Sequence, residues 1–104
     1  MLRYNAKEYL FKAGLCHMAA LKGLERGVDE VRQHLERYQN IDVTFMDTRE
    51  AACLWRIVDA FEKHDLEIFQ GALVEFDRVT RLDEWKTALF LRVRDRLTEE
   101  PDLT

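Results

Sequence analysis

The sequence predicts an all-α fold: antiparallel helix pairs in a short right-handed solenoid segment, with a closing helix and a flexible acidic tail. Apolar residues recur at steps of three and four along almost the whole chain, and the alternation of a strand is nearly absent. Helix breakers are scarce, one proline and four glycines in 104 residues. With 35% of residues charged, that scarcity points to helices whose outer faces are solvated.

Five helices are expected. The first runs from about Asn5 to Gly23, with Phe11, Leu15, Met18 and Leu21 on its inner stripe. Gly23 and Gly27 bracket a turn, as glycine does past a helix end. The second, about Val28 to Gln39, carries Val28, Val31, Leu35 and Tyr38. A connection, Asn40 to Met46, leads to a third helix that begins at Asp47. Glu50 stands three places on, in the spacing of a capping box with Asp in the usual Ser or Thr place. Leu54, Ile57, Val58 and Phe61 form its buried face. The chain turns around His64-Asp65, and Leu66, Phe69, Leu73 and Phe76 stripe the fourth helix. After Thr80 to Asp83 the fifth helix presents Trp85, Leu89 and Val93 as far as about Leu97, and Pro101 keeps the last residues out of it.

The first and third helices start roughly forty residues apart, the interval of helix-pair repeats. The unit is therefore a TPR-like solenoid segment over residues 1–97, with 98–104 as the tail. Gly14 and Gly71, inside helices, are expected where helices approach closely. The first helix is apolar on several sides (Tyr4, Tyr9, Leu10, Phe11, Leu15), and an upstream repeat is expected to cover it.

Composition excludes several functions. A net charge of −4 argues against a general nucleic-acid binder, which needs a basic surface to neutralise phosphates. No apolar run is long enough to cross a bilayer, and the opening residues lack the apolar core of a signal peptide. Cys16 and Cys53 are lone thiols in helical patterns, expected as small core residues in a reducing, cytosolic compartment. His17 adjoins Cys16, but helix neighbours point about 100° apart and do not share a metal. His34 and His64 are expected at the surface near helix ends. No metal-ligand spacing, phosphate loop or nucleophile with an adjacent base is present, so no metal, cofactor or enzymatic activity is expected.

The fifth helix and its approach, Glu75-Phe76-Asp77-Arg78-Val79-Thr80-Arg81-Leu82-Asp83-Glu84-Trp85-Lys86-Thr87 and Leu89-Phe90-Leu91-Arg92-Val93, resemble the C-terminal region of the soluble NSF attachment protein (SNAP) family. Ala6-Lys7-Glu8-Tyr9-Leu10-Phe11-Lys12-Ala13-Gly14-Leu15-Cys16-His17, Leu35-Glu36-Arg37-Tyr38-Gln39 and Asp47-Thr48-Arg49-Glu50 resemble it too. So does the ending Glu99-Glu100-Pro101-Asp102-Leu103-Thr104, which favours the alpha type.

The resemblance implies a cytoplasmic adaptor, peripherally associated with vesicle, Golgi or ER membranes. Such an adaptor lies along a SNARE complex and presents its C-terminal end to the hexameric ATPase NSF, which alone hydrolyses ATP. By the same resemblance Leu103 is the penultimate leucine that stimulates NSF. Glu99, Glu100 and Asp102 of the tail, with Asp59 and Glu62 of the third helix, face its basic surface. Lys63 stands where the family has a further acid. Another family acid falls near Gly27, with Asp29 its nearest substitute. Arg49 is the candidate SNARE contact; most of the SNARE-facing basic surface is expected upstream. An acidic tail would be steered to a basic partner in a salt-dependent way. Burial of Leu103 there would contribute about 1.5–3 kcal/mol before ordering costs. The competing expectation is a generic helical-repeat interaction module with a different partner.

Overall fold

The computed structural model describes residues 2–21 and 24–98, and the side chains of 6–21 and 27–98. Five α-helices follow one another, α1 (Leu2–Ala19), α2 (Leu24–Ile41), α3 (Arg49–Lys63), α4 (Leu66–Val79) and α5 (Glu84–Thr98), with a 3₁₀ turn at Val43–Asp47 between α2 and α3. The expected all-α class and five-helix order hold, and no strand occurs among the described residues.

Contacts along the helices fix their directions. His17 of α1 meets His34 of α2, and Arg32 of α2 reaches Glu62 of α3, so α2 runs antiparallel to both neighbours. Lys7 faces Glu50 and Gly14 faces Leu54, so α1 and α3 run the same way. Glu8 pairs with Lys86 and Phe11 packs on Phe90, so α5 runs with α1 as well. Thus α1, α3 and α5 all end at one end of the molecule.

Two kinds of packing share one core. On the α2–α3 side it is aliphatic: Leu15, Leu35, Leu54 and Ile57 are at most 1% exposed. A Cβ on Gly14 would lie 2.8 Å from Leu54 Cδ1, so the bare backbone there is what lets α1 approach α3. On the α4–α5 side the core is aromatic. Phe11 stacks on Phe76 with centroids 4.9 Å apart and meets Trp85 and Phe90 edge-on. Phe69 closes the cluster against Phe90.

Several boundaries and burials differ from expectation. Helix α2 begins before Gly27, so that residue is helical; a Cβ there would collide with the Leu21 side chain. The glycine admits the incoming chain, while Gly23 lies outside the described residues. The α2–α3 connection is a 3₁₀ turn plugged by buried Phe45, which meets Tyr38 edge-on. Asp47 belongs to that turn, and the cap of α3 is Thr48. Its hydroxyl accepts from Ala51 N at 3.1 Å and donates to Phe45 O at 2.6 Å. Glu50 is thereby free of the capping box and is buried, facing Lys7 at 4.0 Å.

The α3–α4 turn at His64-Asp65 is where the sequence puts it, and Asp83 accepts from Lys86 N at 3.1 Å ahead of α5. Cys16 is exposed, because Leu15 and Met18 take the inward stripe and their neighbour points about 100° away. Leu10, Phe11 and Leu15 are covered by this chain's own helices, while Tyr9 is exposed. Gly71 faces the Arg56 guanidinium across the α3–α4 contact. Lys86, which the sequence reading did not single out, is buried over the Trp85 and Phe76 rings with Glu8 at 3.4 Å.

Candidate partner-binding site

Asp59 and Glu62 stand three residues apart in the last turns of α3, so they share one face of that helix. Each carboxylate is engaged within the chain. Asp59 holds Lys63 at 3.3 Å one turn on. Glu62 is paired with Arg32 of α2, which also holds Asp29 at 2.9 Å. Three carboxylates against two cations leave this edge with one net negative charge. All five side chains keep between 34% and 70% of their surface exposed. These are solvent-screened pairs, each worth at most about 1 kcal/mol, so a partner's cation can compete for them. Asp29, the nearest substitute for the family acid at Gly27, is thus brought beside Glu62 by the α2–α3 packing.

Sequence reading missed Arg32. Its spacing of three from Asp29 is visible in the sequence, but its link to Glu62 is tertiary. Lys63, where the resemblance implies an acid, turns back onto Asp59 and partly neutralises it.

Arg49 lies at the opposite end of α3, 13 residues from Glu62, about 20 Å along a helix. It borders an open groove of about 210 Å³ between α3 and α4, floored by Cys53, Ala72 and Phe76. Arg56, which the sequence reading did not single out, borders the groove from the same helix, and Glu75 faces it from α4. The fold keeps this basic feature apart from the acidic edge. Burial pushes the Cys53 thiol up to about 12, with Arg56 lowering and Glu50 raising it, so the thiol behaves as a small apolar residue. Glu99, Glu100, Asp102 and Leu103 lie outside the described residues. What is described is their point of departure: α5 ends at Thr98, on the same end of the molecule as Asp59 and Glu62.

The histidines also differ from expectation. His34 sits in the middle of α2, half-buried, with its ring stacked on that of His17. His64 is exposed at the end of α3, as expected. Among the described residues no group of three or more His, Cys, Asp and Glu could hold a metal. No described helix is long and apolar enough to cross a membrane.

Comparison with known proteins bears on what this arrangement serves. A family model described as "Soluble NSF attachment protein, SNAP" matches residues 1–98. The beta-soluble NSF attachment protein of Bos taurus is 38% identical over 90% of this chain and 30% of its own length. The alpha-soluble NSF attachment protein of Vitis vinifera is 40% identical over 100% of this chain and 36% of its own. The vesicular-fusion protein SEC17 of Coprinopsis cinerea is 36% identical over 100% of this chain and 34% of its own. The chain thus spans about a third of the length of the curated relatives it matches. No solved structure gives a significant match. Since the family's pattern runs through every helix described above, this chain belongs to the soluble NSF attachment protein family.

Proposed function

We propose that this chain is the ATPase-facing part of a non-enzymatic adaptor that links an NSF-type hexameric ATPase to SNARE complexes and stimulates their ATP-driven disassembly in vesicle trafficking. The observation that carries the reading is a common end: Asp59, Glu62 and Asp29 lie at the end of the molecule at which α5 stops at Thr98. A basic partner docked there would meet helix acids and tail acids together. Leu103 would be buried in the same docked state. The relatives' names, NSF attachment and vesicular fusion, support the same assignment. Arg49, with Arg56 beside the α3–α4 groove, is the SNARE-facing candidate at the far end. SNARE affinity would come mainly from the part of the family's length that this chain does not span, and membrane association would be peripheral, through the complex.

The test is Leu103→Ala placed in the full-length protein. NSF should be captured less well, its ATP turnover should fall to near the unstimulated rate, and helical content and thermal unfolding should not change. Capture of NSF by the unaltered protein should weaken as salt rises, because the acidic contacts are screened. Undiminished stimulation by Leu103→Ala would reject the proposal.

A further inference from the structure

The His17 and His34 rings lie face to face between the last turn of α1 and the middle of α2, centroids 3.8 Å apart and planes within 8° of parallel. Neither expectation for these residues, a lone surface imidazole or a capping cation, requires such an arrangement. We propose that His17 and His34 form a pH-sensitive catch between α1 and α2, closed near neutrality and released in mild acid.

The physical basis is charge on a stack. With at most one ring protonated, the imidazolium lies against the π face of a neutral imidazole, an attractive arrangement. A second proton places two positive charges at stacking distance on neighbouring helices, with His17 exposed and His34 half-buried. On α1 the adjacent titratable group is Cys16. On α2, Glu30, Arg37 and Tyr38 lie one turn either side of His34. One turn before His17, Gly14 faces Leu35 of α2 and Leu54 of α3. Among the described groups, His34 is the charge that acts on His17, and burial together with that charge holds His17 below its ordinary value of 6.5.

The sign follows. A base held low in the folded state is protonated first in the unfolded chain as pH falls. The stack's stabilisation is therefore complete above pH 6.5 and is lost as the pH falls through and below that value. α2 also delivers Arg32 to Glu62, so the catch lies on the helix that shapes the acidic edge. The catch itself needs no partner and is tested without one.

Thermal unfolding of the chain and of His34→Phe is compared at pH 7.5 and pH 5.0. Phenylalanine keeps the stack and removes the second charge. The unaltered chain should lose more on acidification, by roughly 5–11 °C per pKa unit of mutual repulsion. An equal loss in both proteins would overturn the catch. Should His34→Phe fail to fold, the imidazole proton resonances of the unaltered chain decide. Two steps separated by about one unit or more support coupling, and two independent steps near 6.5 exclude it. Amide exchange at pH 5.0 should quicken along the α1–α2 contact before it does in α3–α4; uniform quickening would count against a local release.

Discussion

Helices α3 and α4 meet across two residues, and each closes a helix end with its own atoms. His64 takes a left-handed conformation, φ 50° and ψ 45°, and its N–H returns to Ala60 and Phe61 carbonyls. Asp65 then accepts from Glu67 N at 2.9 Å to open α4. Helix α1 is placed differently. Its position comes from side chains of four other helices: His34 and Leu35 on α2, Leu54 on α3, Phe76 on α4, and Trp85, Lys86 and Phe90 on α5. The hairpin is written in local sequence, one hydrogen bond at a time. α1 is written in the shape of what surrounds it, so the same number of altered atoms should cost far more there.

The largest test of that contrast is Phe11→Ala. Phe11 is fully buried and touches three aromatic rings on two helices. Its loss removes a large transfer term and leaves a cavity that α4 and α5 cannot both close, a cost of about 3–5 kcal/mol. Denaturant unfolding should show the midpoint falling with little change in slope. In a domain of ordinary marginal stability, this substitution removes a large fraction of the total. The matching change in the hairpin is Thr48→Ala, which removes the acceptor for Ala51 N and the donor to Phe45 O. It should cost about 1 kcal/mol, and Thr48→Ser should restore most of it. The contrast breaks if the two substitutions cost the same.

This division also explains what was legible in sequence. The stripes of α3 and α4 and the His64-Asp65 turn depend on residues within a turn of one another, and they are where the spacing puts them. The start of α2 was not legible, because Gly27 signals a helix end locally while its real task is to clear Leu21. The cap of α3 moved from Asp47 to Thr48 once Phe45 drew the preceding residues into a 3₁₀ turn. Buried Lys86 was invisible for the same reason: Glu8, Phe76 and Trp85 make its pocket, and Glu8 lies 78 residues away. At the site, Asp59 and Glu62 share a face because helix geometry requires it. Arg32 and Asp29 join them through tertiary packing that no spacing records.

The smallest effect sharpens the comparison from the hairpin's side. His64 has a side chain on a backbone that glycine adopts without penalty. For an L-residue the left-handed region costs about 1–2 kcal/mol. Replacing it by glycine relieves that strain, offset in part by the greater freedom glycine gains in the unfolded chain. His64→Gly should therefore stabilise the protein by about 0.5 kcal/mol, a rise of roughly 2–4 °C in Tm. His64→Asn should fall between His and Gly, and His64→Val, branched at Cβ, should destabilise. That order, Gly above Asn above His above Val, follows from backbone conformation, because His64 is exposed. If glycine were instead the least stable, His64 would be held by its side chain, and the claim that this turn is set by local backbone geometry would fail.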